Sequence, residues 1–183
     1  MIRARKLSLV HVKRTLLPLY GHTQATPHAA FLDASLVTGA DANVAVFPGM
    51  VATSTSGEQV KLHDTSTERP FGLFANFVNG DLDELGDNTE VGIWRGGPDA
   101  VFEATGDAID PAVSWTGTAT GTLIFGRVAD SGASKRGQLT LVANAGTTPY
   151  PVGRLIEAPS NSKIVFSLLT EVPRDIDSGL EAD

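Results

Sequence analysis

Few side chains in this sequence are of a type that does chemistry at neutral pH, and their spacing decides what they could do. Four histidines and no cysteine occur among 183 residues. Without cysteine neither a disulfide nor a thiolate metal site can form, which suits assembly in the cytosol. His22 and His28 lie in a polar stretch, with Asp33 beyond. A zinc site takes three or four ligands held by regular structure, so two histidines in a loop read as solvated imidazoles. His63 adjoins Asp64 and reads as a hydrogen-bonding pair at a strand end, while His11 belongs to the N-terminal segment. No histidine follows His63, so Ser131 and Ser134, near Lys135, have no nearby base to activate a hydroxyl.

The acidic residues Asp81, Asp83, Glu84, Asp87 and Glu90 are the other candidate cluster. Asp81, Asp83 and Gly86 fit the first, third and sixth positions of a calcium loop. Leu85 then takes a ligand position and Gly92 stands where the bidentate acid belongs. A solvated acidic hairpin loop is the expected reading. Two carboxylates can also hydrolyse glycosides, yet no aromatic platform adjoins these. Gly96-Gly97 lacks the lysine-serine ending and following helix of a phosphate loop. The expectation is therefore no catalytic residue, no cofactor and no metal.

Charge is distributed unevenly along the chain. Arg3, Arg5, Lys6, Lys13 and Arg14 precede the first acidic residue, Asp33. The remaining nine basic side chains face all 21 acidic ones, a formal −12 behind a +5 head. A basic terminus on an acidic body suggests an arm that meets an acidic surface, nucleic acid or membrane. The body itself would repel phosphate, so nucleic acid is not an expected partner for it. No stretch is long and apolar enough for a membrane span, and no membrane partner is expected. His11, Lys13 and Arg14 interrupt Leu7, Leu9, Val10 and Val12, so the head lacks the unbroken apolar core of a secretory signal.

The elements that must position these groups are short. Val51-Ala52, Val60-Lys61-Leu62, Pro70-Phe71-Gly72-Leu73-Phe74, Val91-Gly92-Ile93-Trp94 and Val101-Phe102-Glu103-Ala104 are apolar blocks or alternations below helix length. Leu123 to Val128, Gln138 to Val142 and Ile164 to Leu169 continue the pattern. With 19 glycines and 10 prolines supplying turns, the fold class is all-β: a small antiparallel β-barrel or sandwich, with an extended N-terminal arm and an acidic C-terminal tail. The expected division is an arm over residues 1–32, a β-rich domain over 33–170 and a tail over 171–183. Residues 21–43 read as polar and loop-like. Gly72 inside an apolar strand predicts a bulge or the close approach of another backbone. Pro70-Phe71-Gly72-Leu73-Phe74 is echoed by Pro151-Val152-Gly153-Arg154-Leu155, which suggests a duplicated β unit.

This order of signals, from Pro48-Gly49-Met50-Val51 through Pro70-Phe71-Gly72-Leu73 and Val91 to Gly97, to Phe125-Gly126-Arg127-Val128 and Val152-Gly153-Arg154-Leu155, resembles the capsid decoration (cement) proteins of tailed bacteriophages. The likeness runs over roughly Val44 to Leu169. It implies a virion structural protein on the outer surface of the capsid, assembled in the host cytoplasm, that stabilises the head by bridging capsomers. It also implies the major capsid protein as partner, a homotrimer as the working form, and an N-terminal arm that adds to a capsid strand. Leu7, Leu9, Val10 and Val12 would make that contact, and Arg3, Arg5, Lys6, Lys13 and Arg14 would steer it. Another virion component (tail, connector or minor capsid protein) has a similar β architecture. A carbohydrate-binding domain would need Tyr20, Trp94, Trp115 and Tyr150 to line a groove.

Overall fold

The computed structural model describes residues 15–20, 27–37, 45–56, 59–78, 90–96 and 100–169. Eleven strands form the framework: β1 Leu16–Tyr20, β2 His28–Leu32, β3 Val51–Ser54, β4 Gln59–Leu62, β5 Pro70–Phe74, β6 Glu90–Trp94, β7 Val101–Thr105, β8 Leu123–Gly126, β9 Leu139–Thr140, β10 Pro151–Leu155 and β11 Lys163–Leu168. A single helical turn, Ala34–Val37, follows β2. The all-β expectation holds. The strands are short because Gly, Pro and small polar residues interrupt each apolar block, leaving too few consecutive residues for a helical face.

Strands β2 to β6 close into a barrel in the order β2-β4-β3-β5-β6, and the other six form a sheet in the order β1-β7-β11-β10-β8-β9. Named ladders are antiparallel except for β2 beside β4, where Phe31 faces Gln59 and Leu32 faces Val60. The first barrel encloses Leu32, Met50, Val60, Leu62, Phe74 and Ile93. The second core is built on Phe102, Trp115, Ile124, Leu139 and Phe166, and it also receives Val51 and Leu73 from the first barrel. Those two residues, with His63 against Gly126, weld the halves together.

The two halves are copies of one topology. Strands β2 to β6 correspond in sequence to β7 to β11, and both sets run in the same spatial order. The register agrees residue by residue: Ala52 faces Gly72 as Ile124 faces Gly153, and Thr53 faces Pro70 as Phe125 faces Pro151. In both, the register slips between the proline and the glycine, so each Pro-x-Gly segment is a bulge. Loop hydrogen bonds repeat as well. Gly49 N–H donates to Phe74 O and Gly121 N–H to Leu155 O, each at 2.8 Å, and Asp33 N–H donates to Val60 O as Asp110 N–H does to Leu139 O, each at 2.9 Å. Gly49 and Gly121 both have positive φ, +96° and +86°, which only glycine adopts without strain. The parallel β2–β4 closure has its counterpart in the bridge of Ile109 to Leu139. The echo in the sequence thus marks a tandem repeat of a five-stranded unit.

Two expectations are corrected. The arm was carried to residue 32, but β1 lies within that span and pairs with β7, Leu16 facing Ala104 and Leu17 facing Glu103. β2 lies there too, pairing with β6 and β4. Leu16 is buried in the second core and Ala30 and Leu32 in the first. Among the described residues the body therefore begins at Thr15. Residues 21–43 were read as loop because Ala29 and Ala30 carry little apolar weight in a pattern. Barrel closure, which no local window shows, makes His28–Leu32 within it a strand.

Gly72 and Gly153 are each needed for close approach. A Cβ on Gly72 would overlap the Trp94 carbonyl oxygen, and one on Gly153 would stand 2.7 Å from both Ser167 O and a Phe166 ring carbon. Gly72→Ala and Gly153→Ala are each expected to destabilise by about 1–3 kcal/mol. Urea titration of the single variants measures this, and an unchanged midpoint in either would contradict the repeat's shared bulge.

Candidate interaction surface

The titratable groups of the body sort into structural pairs. Asp110 is fully buried and is the densest polar node among the described residues. Its carboxylate accepts hydrogen bonds from Arg127 Nη1 at 2.5 Å, Ser134 Oγ at 2.6 Å, Thr140 Oγ1 at 2.9 Å, Asn144 Nδ2 at 3.2 Å and the Ala112 amide at 3.0 Å. Burial alone would raise this carboxyl. The bonds from Ser134, Ala112, Thr140 and Arg127 outweigh it and hold Asp110 below the usual carboxylate range. The equivalent residue of the first barrel, Asp33, accepts from Thr55 Oγ1 at 2.7 Å. Both aspartates thus brace the loop after the second strand of their unit. Ser134, considered above as a candidate nucleophile, is one of these braces. Asp110 is not legible in a local window because its partners are spread from residue 112 to residue 144, and only the repeat's alignment with Asp33 singles it out.

His63 does not pair with Asp64. It is buried, and its Nδ1 shares a 2.9 Å hydrogen bond with Thr53 Oγ1, whereas Asp64 takes Lys61 Nζ at 2.9 Å and Thr65 Oγ1 at 3.0 Å. The alternation of β4 explains this: His63 continues the strand into the seam between the barrels, and Asp64 leaves it toward solvent. Burial pushes the His63 imidazole down to about 4. His28 stands on β2 in an edge-on arrangement with Phe71, ring centres 5.9 Å apart, and His22 and His11 lie outside the described residues.

No group of His, Asp and Glu side chains suited to a metal ion occurs among the described residues. Residues 81–89 lie outside them, so the acidic loop is not placed. Trp115 is fully buried and donates Nε1–H to Asp110 O at 3.2 Å. Trp94 tilts against Phe102 at 5.7 Å, and Tyr150 lies under Arg69 at 5.3 Å. These three rings do not form a shared platform. What the described surface offers instead is scattered apolar area: Phe77 beside Phe47 at 5.1 Å, and Val142, Tyr150, Ile156, Leu17 and Leu169 exposed.

A family model described as phage cement protein matches residues 3–180. The chain belongs to that family. As a cement protein it is a virion structural protein of the capsid, whose task is to stabilise the phage head. No curated protein and no solved structure matches the chain. The match takes in both the closed barrel and the six-stranded sheet, and the N-terminal segment from residue 3. The proposed arm residues Arg3, Arg5, Lys6, Leu7, Leu9, Val10, Val12, Lys13 and Arg14 lie outside the described residues.

A cement protein must keep its shape on the particle, and two buried groups set the conditions under which this one does. Asp110→Ala leaves Arg127, Ser134 and Thr140 without their shared acceptor and is expected to cost about 3–5 kcal/mol, measurable by urea denaturation. The folded pKa of His63 is depressed, so the unfolded state binds its proton first. Stability is therefore full above the unfolded pKa of about 6.5 and falls as pH drops from there toward 4. Between pH 7 and pH 5 the loss attributable to His63 should be about 2 kcal/mol. His63→Asn should lack that part of the pH dependence; an equal slope in both proteins would exclude His63 as its source.

Proposed function

We propose that this chain cements the head as a homotrimer on the outer capsid surface, gripping the major capsid protein through the segment before Thr15 and catalysing no reaction. The observation that carries the reading is the anchored exit of that segment. Thr15 Oγ1 donates to Pro48 O at 2.6 Å, Thr105 N–H donates to Thr15 O at 2.9 Å, and Leu16 is buried in the second core. The chain is fixed to the body at Thr15, so tension on an arm preceding it would be transmitted to the packed cores and not to a loose tether.

The arm's chemistry suits an open strand edge. Leu7 and Leu9 alternate with Lys6 and Ser8, and Val10 and Val12 shift that alternation by one residue. Main-chain pairing supplies affinity and alternate side chains supply register. Arg3, Arg5, Lys6, Lys13 and Arg14 steer the segment toward an acidic capsid surface and make the contact weaken with salt. The exposed apolar residues Phe77, Val142, Tyr150 and Ile156 give the body area with which to meet its own copies.

Removal of residues 2–13 keeps Thr15 and Leu16 and should leave the fold unchanged while weakening binding to emptied capsids by about tenfold or more. Co-sedimentation with capsids at low and high salt measures both the loss and its salt dependence. Retained affinity in the truncated protein would place the grip elsewhere. Sedimentation equilibrium tests the oligomer, with a mass three times 19.2 kDa expected.

A further inference from the structure

The repeat allows each surface of one unit to be compared with the same surface of the other. On β3 and β5, Val51 and Leu73 face each other and point away from their own barrel. Both are buried in the second core, so the neighbouring unit covers this outer face. The matching pair on β8 and β10 is Leu123 and Arg154, again facing each other. Arg154 is exposed, Leu123 is half-buried, and neither belongs to a core. Among the described residues, no third unit is packed on this face of the second one.

The same face continues across the sheet as a row with apolar ends. Leu17 faces Glu103, Glu103 faces Val165, and Ile156 N–H donates to Val165 O at 3.0 Å. The row crosses β1, β7, β11 and the end of β10, three strand spacings or about 14 Å. Its members point outward, because the alternate positions Leu16, Ala104, Ile164 and Leu155 fill the second core. Val165 is buried in the middle, while Leu17 and Ile156 are 40% and 41% exposed. In the first unit the row is Ala29, Gly92 and Ala75: Ala29 faces Gly92, and Ala75 N–H donates to Gly92 O at 2.8 Å. Bulky side chains therefore stand on this row in one unit only. Ile164-Val165-Phe166 is also an unbroken apolar run, the pattern of a strand covered on both faces.

Two observations select a second copy of this chain as the occupant. The seam shows this outer face already packed on a unit of the same fold, and the open face is its direct counterpart. Charge agrees with that choice. Residues 15–183 carry a formal −12, whereas this face presents Arg154 and Lys163 against Glu103, which pairs with Lys163 at 3.3 Å. One base in excess on an acidic body draws in another such body.

We propose that the outer face of the six-stranded sheet, the row from Leu17 to Ile156 with Arg154 beside it, is where one copy of the chain seats on the next, a contact that rests on the homotrimeric reading above. Three copies in a ring meet through two different patches. This face is one of them, and it receives an acidic surface of the neighbouring copy. The contact repeats between chains what the seam does within one: an outer barrel face is covered by another unit of the same kind.

Leu17 and Ile156 are exposed enough to be changed without opening the core. In sedimentation equilibrium of the full-length protein, Leu17→Asp and Ile156→Asp should each raise the dissociation constant of the assembly by about tenfold or more. Together they should leave a single chain of 19.2 kDa. Arg154→Glu should weaken the assembly as well. Phe77→Asp changes an equally exposed apolar residue on the first unit and should leave the mass unaltered. Circular dichroism of each variant checks that the fold is kept. Three chains in both the wild type and the double variant would overturn the face and leave the trimer standing. Two chains in the wild type, parted by the double variant, would keep the face and overturn the trimer. A wild type that stays a single chain at every concentration overturns both. The face is equally overturned if the double variant keeps its mass and loses binding to emptied capsids, which would assign the row to the capsid.

Discussion

Closure of a five-stranded sheet by a parallel contact between its first and third strands is the constraint on which the molecule depends. In each unit an aspartate placed just after the first strand clamps that contact, its N–H bonded to the carbonyl of the facing strand: Asp33 to Val60, and Asp110 to Leu139. A parallel pair cannot be joined by a tight turn. The intervening chain must therefore travel, and in both units it makes a turn after the aspartate, a glycine turn with positive φ, and a strand before it returns. Everything else follows from holding that contact. The carboxylates brace the loop that comes back, through Thr55 in one unit and through Arg127 and Thr140 in the other.

The copies have diverged in how they treat the same position. The first unit leaves Asp33 half-buried and bonded to the neutral Thr55 hydroxyl, while the second buries Asp110 completely and gives it a guanidinium and three further side-chain donors. A buried ion pair contributes little net stability against an apolar alternative, but it permits few arrangements of the loops that supply it. Asp110 gathers residues 112, 127, 134, 140 and 144 around one carboxylate. This fixes long, glycine-rich connections that have no regular structure of their own. The first unit needs less of this because its barrel is fully closed by β4.

Legibility in the sequence followed how local each determinant was. The strands with bulky apolar residues, β5, β6, β7, β8 and β11, could be read because their burial pattern is carried by their own side chains. So could the bulge at Gly72, since a glycine between apolar residues in a strand has few other uses. β2 could not, because Ala29 and Ala30 are given their strand state by β6 and β4 and not by any property of their own. The partnership of His63 was misread for a related reason: adjacency in a strand places neighbours on opposite faces, so Asp64 was the residue least able to meet it. The Pro-x-Gly echo was a true signal of duplication. Three matched positions carry little weight in a chain with 19 glycines, and only the shared register and turn hydrogen bonds raise them above coincidence.

For a cement protein the duplicated barrel has a mechanical consequence. A head under outward pressure loads its stabilisers in tension, and an adhesive domain fails first where its own strands can peel. Here the two barrels share core residues, with Val51 and Leu73 of one packed into the other. The N-terminal strand β1 is paired on the far unit and not on the one that follows it in sequence. Force entering at Thr15 therefore passes first into β7 and the second core, then crosses the seam at His63 and Gly126 into the first barrel. The chain passes between the units twice, from β1 to β2 and from β6 to β7, so that they are tied by covalent connections as well as by a packed interface.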